Sequence, residues 1–179
     1  SPHERDVLLS ASAYEVRDAG TSPPFSLRPG LIGELLAFYD TLRRQLKTVD
    51  DLDRLATARF AGDAEDDRGA ARLLAQTRFM VDVFRTYDRR LANLDRSDEH
   101  VLRERLLAEP DTPLRHVIVT VGDRAADPAG LFPADFDLLA RLNGVARIDV
   151  VATEASLAAG YLERIRDHLP GIDESRPEA

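Results

Sequence analysis

The stretch His116-Val117-Ile118-Val119-Thr120-Val121-Gly122-Asp123 decides the fold. An unbroken, mostly β-branched run closed by Gly-Asp reads as a strand. A helical segment follows from Pro133 to Leu142, stopped by Asn143-Gly144, and Ile148-Asp149-Val150-Val151-Ala152-Thr153 is a second β-rich run. Strand, helix, strand in that order is one βαβ crossover. The spacing therefore predicts two parallel strands, buried on both faces and joined in the right-handed sense. Ligands of open α/β sheets bind at the carboxyl ends of strands, which points to Gly122-Asp123 and Thr153-Glu154.

Upstream, the pattern is helical throughout. Glu4 to Ala19 carries Val7, Leu8, Ala11 and Tyr14 at helical spacing and ends at Gly20. After the loop Thr21-Ser22-Pro23-Pro24, a second helix is expected from Pro29 to Lys47. Its stripe is Leu31, Leu35, Phe38, Leu42 and Leu46, widened by Ile32, Leu36 and Tyr39. Thr48 or Asp50 can cap a short third helix through Leu52, Leu55 and Phe60, closed by Gly62. Asp63 is then the expected cap of the longest helix, reaching about Leu94, with Glu65, Asp66 and Asp67 against its positive end. Leu73, Leu74, Thr77, Met80, Val81, Phe84, Tyr87 and Leu91 give it an apolar arc too broad for a surface helix, so it should lie between others. Ser97 or Asp98 caps a further helix, His100 to Glu109. After the crossover, Leu157, Tyr161, Ile165 and Leu169 mark a last helix stopped by Pro170-Gly171. The expected fold class is α/β, predominantly helical: a helical subdomain over 1–110, a small parallel βαβ unit with a C-terminal helix over 111–171, and a frayed acidic tail over 172–179.

The 179 residues are 44% hydrophobic and 31% charged, which is the composition of a globular domain with a real core. A formal charge of −8 argues against nucleic-acid binding by net attraction, while leaving room for a local basic stripe. The chain has no cysteine, hence no disulfide, thiol nucleophile or thiolate-held metal. No apolar run approaches ~18 residues and no secretory signal is visible, so a cytoplasmic protein without a membrane span is expected. The chain begins Ser-Pro-His, and its only methionine is Met80, so a piece of a longer protein is expected.

Catalytic motifs are missing. There is no G-x-x-x-x-G-K-[ST], no G-x-G-x-x-G and no G-x-S-x-G, so no phosphate cradle or hydrolase triad is expected. Asp123 after the first strand has the placement of a metal-binding acid in nucleotide hydrolases, which leaves a small Mg²⁺-dependent hydrolase as one alternative. A strand-to-loop turn is the simpler reading. Asp98-Glu99-His100 offers ligand atoms, but adjacent helical residues diverge and no histidine follows at i+4. Asp98 is more simply a cap, and no catalytic residue, metal or cofactor is assigned. His116, at the start of a buried strand, reads as a structural histidine. Arg78, Arg85, Arg89 and Arg96 share one face of the long helix if it extends that far. Such a stripe can track the phosphates of single-stranded DNA, weakly; with Asp82 and Asp88 interleaved, a solvated charged edge is the commoner explanation.

The order of pieces carries a resemblance. Phe84-Arg85-Thr86-Tyr87-Asp88-Arg89-Arg90-Leu91, then Asp98, Val101-Leu102 and Leu106-Leu107, resembles the helical insertion domain of UvrD-like superfamily-one helicases. In that family this domain precedes the strand with the ATPase carboxylates. Here the next strand is Val117 to Val121, followed by Pro133-Ala134-Asp135-Phe136-Asp137-Leu138-Leu139 and another strand. The family's Asp-Glu pair corresponds to Thr120-Val121, which can neither hold Mg²⁺ nor orient a water. Its Gly-Asp-x-x-Gln is absent from Thr153-Glu154-Ala155-Ser156. The chain is accordingly most similar to degenerate AddB-type subunits of bacterial helicase–nucleases. The resemblance implies a non-catalytic segment of a DNA repair and recombination protein, in contact with the rest of its parent or with a partner subunit. The alternative is a stand-alone interaction module using the Pro29–Lys47 helix. Two parallel strands also leave unpaired edges, so either a homodimer or the chain's own helices should cover them.

Overall fold

A computed structural model describes residues 2–121 and 131–175. The fold is α/β and predominantly helical, with one two-stranded parallel sheet among the described residues. It divides into two compact units, Ser1–Val101 and Leu102–Ala179. Among the described residues no helix is long and apolar enough to cross a membrane.

The first unit is built on α4 (Arg68–Asn93), which packs against α1 (Pro2–Asp18) and α3 (Val49–Phe60), while α1 also packs against α2 (Pro29–Arg44). Phe79, Val83, Phe84 and Tyr87 of α4 are fully buried, with Leu9 of α1 and Tyr39 of α2 closing on them. Each such aromatic contributes about 1.5–3 kcal/mol by leaving water. The Tyr39 ring meets Phe84 and Tyr87 at centroid distances of 5.2 and 5.4 Å, tilted and edge-on, the arrangements that aromatic quadrupoles favour.

Several expected boundaries and faces are corrected. The long helix does not start at Asp63. A 3₁₀ turn spans Asp63–Glu65, and Asp67 caps α4 by accepting from the Gly69 amide at 2.7 Å. Leu73 is exposed, whereas Phe79 and Val83, outside the expected arc, are in the core. In α1, Val7 and Tyr14 face solvent, and the buried line is Leu9, Ser12, Ala13 and Val16. In α2, Ile32, Leu36 and Tyr39 are core along with Leu35. The helix ends at Arg44, and Leu46 sits exposed at φ +57°. Leu55 of α3 is exposed too; Val49 and Ala56 are its buried residues.

The second unit carries β1 (His116–Thr120), α6 (Pro133–Arg141) and β2 (Arg147–Val151), after α5 (Glu99–Ala108), which begins in the first unit. The strands pair in parallel, Val117 with Ile148 and Val119 with Val150. Beyond them lie the short α7 (Glu154–Ser156), a π turn (Leu157–Tyr161) with Gly160 at φ +93°, and α8 (Leu162–His168). Phe136, Tyr161, Ile165 and Leu169 form this unit's core, against Val121, Leu139, Val150 and Leu157. The α6–β2 turn is pinned to the segment before β1. Thr112 Oγ1 donates to Asn143 O at 3.0 Å, and Arg115 Nη1 donates to Gly144 O at 2.9 Å. Gly144 needs its φ of +83°, and a Cβ there would lie 3.0 Å from the Thr112 carbonyl oxygen.

Burial of the sheet on both faces is not found. Partners in a parallel register point to the same side, so Val117, Val119, Ile148 and Val150 share the half-buried face. His116, Ile118, Thr120, Arg147, Asp149 and Val151 share the other. On it, Ile118 is 62% and Val151 54% exposed. His116, expected in a buried strand, stands in solvent with its imidazole on Asp149. Both helices of the second unit's core serve one side of the sheet, and polar pairs make the other tolerable.

Candidate functional site

The edges of the two-stranded sheet expose backbone groups that meet no further strand among the described residues. Val121 N–H donates to Val151 O at 2.9 Å and Arg147 N–H to Arg115 O at 3.1 Å. Because backbone groups alternate along a strand, 147, 149 and 151 turn their N–H and C=O toward β1, and 117, 119 and 121 turn theirs toward β2. Ile148 and Val150 therefore present theirs outward on one edge, and His116, Ile118 and Thr120 on the other. No strand pairs with either edge among the described residues.

The carboxyl ends of the strands give little chemistry. Gly122 and Asp123 lie outside the described residues. After β2, Thr153 caps α7, its Oγ1 accepting from the Ser156 amide at 3.3 Å. At the start of β2 an open groove of about 400 Å³ is lined by Ala140, Ile148, Leu169, Pro170 and Ile172, with His168 as its one titratable group.

The arginine stripe divides. α4 ends at Asn93 and Asp95 turns at φ +48°, so Arg96 is off the helix that carries the other three. Arg78 is exposed. Arg85 donates to Asp50 at 2.6 Å and to Asp53 at 3.0 Å, and these two acids of α3 raise its pKa, Asp50 foremost. Arg89 donates to Glu15 at 2.9 Å, and Arg90 holds the other Glu15 oxygen at 2.5 Å. Arg90 first, then Arg89, keeps the Glu15 carboxyl below its ordinary range. A phosphate reaching Arg85 or Arg89 must compete with these carboxylates.

A dense polar cluster sits where α1, α2, α4 and the start of α5 meet. Arg5 grips Asp40 through both terminal nitrogens, and its Nε donates to Tyr87 Oη at 3.1 Å. Burial works against the Arg5 charge, but Asp40 and Tyr87 outweigh it and raise the pKa. Asp40 Oδ1 also meets His100 Nε2 at 3.0 Å, and His100 is only 2% exposed. Burial opposes the Asp40 charge, yet His100 and Arg5 together hold its carboxyl below the usual range. Glu99 Oε1 lies 3.6 Å from His100 Nε2 and takes a bond from Arg44 Nε at 2.8 Å. Tyr39 donates to Asp88 at 2.6 Å, and burial first, then Asp88, raises its pKa.

Asp98 is the cap expected from its position: its Oδ1 accepts from the His100 and Val101 amides at 3.0 and 2.9 Å. Its Oδ2 is buried with no hydrogen-bond partner, and Arg5 Nη2 stands 3.9 Å from it. Leaving such an oxygen unsatisfied costs about 1–3 kcal/mol or more. Sequence spacing alone did not bring Arg5 and Asp40 to this place. A signal was present, since each is a charged residue lying on the buried line of its own helix, four residues from Leu9 and Leu36 respectively. The chain matches no family model, no curated protein and no solved structure.

Proposed function

We propose that this chain is a non-catalytic segment of a helicase–nuclease-like DNA repair and recombination protein of the AddB type, cytoplasmic, with degenerate ATPase motifs. The observation that carries this reading is the unfinished sheet. Two parallel strands, open at both edges and bare on one face among the described residues, are what remains when a strand pair is taken from a wider α/β layer. The order of parts supports it too: a helical unit, then strand, helix, strand. Where the helicase family has its carboxylate pair, this chain has Thr120, which is exposed, and Val121, which packs against the core cluster of Phe136, Tyr161, Ile165 and Leu169. Neither side chain can ligate Mg²⁺ for phosphoryl transfer. The natural neighbours of the edges are strands of the parent protein or of a partner subunit. The apolar line of α2 is spent on the chain's own core, which weighs against a stand-alone module recruiting through that helix. DNA contact through Arg78, Arg85, Arg89 and Arg96 belongs to this reading as a weak, salt-sensitive contribution.

The native reading frame tests the proposal. A frame of many hundred residues, with a phosphate-loop region upstream or a nuclease motif downstream, is the expected finding. A frame about the size of this chain, or nucleotide hydrolysis by the purified chain itself, would overturn it.

A further inference from the structure

We infer that Asp40, Glu99 and His100 form a binding site for a divalent first-row transition cation of the zinc class. Three side chains from two helices converge there: their ligand atoms all lie within 4.8 Å of one another. His100 Nε2 stands 3.0 Å from Asp40 Oδ1 and 3.6 Å from Glu99 Oε1. Ligand atoms about 2.0–2.2 Å from one tetrahedral ion are separated by roughly 3.2–3.6 Å. The Glu99–His100 pair stands at such a spacing, and the Asp40–His100 pair, in hydrogen-bond contact, needs to open slightly to reach it. The separate observation is Asp98. It is 4% exposed, and its Oδ2 is buried without a hydrogen-bond partner, on the side of Arg5 Nη2, the nitrogen that holds Asp40. A buried, unsatisfied carboxylate oxygen beside a ligand cluster adds negative potential that a cation relieves.

The charges are compatible with an added cation. Asp40, Asp98 and Glu99 face Arg5 and Arg44, so the cluster is net anionic when the imidazole is neutral. A carboxylate oxygen has two lone pairs. On Asp40 Oδ1 one accepts from Arg5 and the other, turned to His100, can meet the metal. Glu99 Oε1 faces both Nε and Nη2 of Arg44 at 2.8 Å, and there the metal displaces one of the two. Arg5 on Asp40 and Arg44 on Glu99 then act as the outer hydrogen bonds that orient ligands. Binding replaces a proton by the metal at His100 Nε2: that proton leaves a doubly protonated ring, or is carried on Nδ1 in a neutral one. An imidazole ligand favours Zn²⁺ or Co²⁺ over Mg²⁺ or Ca²⁺.

The test is titration of the whole chain with Zn²⁺ by calorimetry, and with Co²⁺ by visible absorption, in a non-chelating buffer. One ion per chain is expected, with the intense visible bands of low-coordinate Co²⁺. Glu99→Gln, at a partly exposed position that tolerates change, should weaken binding by at least the roughly tenfold that losing an outer-shell partner costs. His100→Gln should abolish it, and His116→Gln, on the sheet, should leave it unchanged. If His100→Gln fails to fold, Glu99→Gln decides. Absence of stoichiometric binding by the folded chain would overturn the inference, as would binding indifferent to Glu99→Gln.

Discussion

His116 and Asp149 face each other across the two strands on the bare side of the sheet, Nε2 to Oδ2 at 2.7 Å, and Arg147 Nε reaches the same oxygen at 3.0 Å. Arg147 first, then His116, holds the Asp149 carboxyl below its ordinary range. These polar groups are what separates Ile118 and Val151 from being a continuous apolar strip. Asp149→Val should therefore raise concentration-dependent light scattering while hardly moving the melting temperature, since exposed pairs contribute little to stability. Ile118→Thr together with Val151→Thr should lower scattering below the parent's. Unchanged scattering in both would show that this face does not govern self-association.

Arg5 and Asp40 tie α1 to α2 beneath the start of α5. Breaking a buried pair leaves one charge unpaired, and at fully buried sites that costs about 3–5 kcal/mol. This pair is partly solvated, so Asp40→Asn should cost less, about 2 kcal/mol, read as a lower denaturation midpoint. Arg5→Met with Asp40→Leu should recover part of that loss: the two charges of the pair go together, while the buried Asp98 carboxylate loses Arg5. A double variant no better than Asp40→Asn would refute this description of the pair.

The start of α3 is a capping box. Thr48 Oγ1 accepts from the Asp51 amide at 3.0 Å, and Asp51 Oδ2 accepts from the Thr48 amide at 3.0 Å. The Thr48 amide bond, ahead of Arg54, lowers the Asp51 pKa to about 2. Since the folded value lies below the ordinary 3.8, this stabilisation is present above about pH 4 and fades as pH falls toward 2. Thr48→Ala should cost about 1 kcal/mol at neutral pH. The difference between parent and Asp51→Asn in thermal melts should shrink across that acid window. A difference constant from pH 6 to pH 2 would contradict it.

Arg85 and Arg89 are held by acids, so any single-strand binding should rise when the acids are neutralised. Asp50→Asn, Asp53→Asn and Glu15→Gln combined should tighten binding at low salt and steepen the log–log salt slope by about 0.7 for each further phosphate neutralised. Replacing Arg78, Arg85, Arg89 and Arg96 by alanine should remove what binding there is. Anisotropy with a labelled single strand measures both. If the quadruple variant binds as the parent does, the stripe is only a solvated edge.

The crossover was legible because β-branched runs, a proline at the helix start and Asn143-Gly144 at its end all act locally. The capped starts of α3 and α5 were legible for the same reason. Which face of α1 is buried was not, because Ser12, Ala13 and Arg5 share it with Leu9 and Val16, and hydropathy favours Val7 and Tyr14 instead. The cluster around His100 joins residues tens of positions apart, and only packing brings them together. The bare side of the sheet escaped for a related reason. Ile118 and Val151 look like core in sequence, and they stand in solvent because no second layer covers them among the described residues.

Hydrogen exchange in β1 and β2, compared between this chain alone and the longer protein proposed to contain it, tests most directly whether these strands belong to a wider sheet. In the isolated chain the amides of Ile148, Val150, Ile118 and Thr120 point outward and should exchange fast, while those of Val117, Val119 and Asp149 are slowed by the ladder. In that proposed longer protein, peptides covering both strands should show the outward amides protected as well. Equal exchange in the two proteins would mean that no further strand completes this sheet, and would contradict its being a segment of a larger α/β layer.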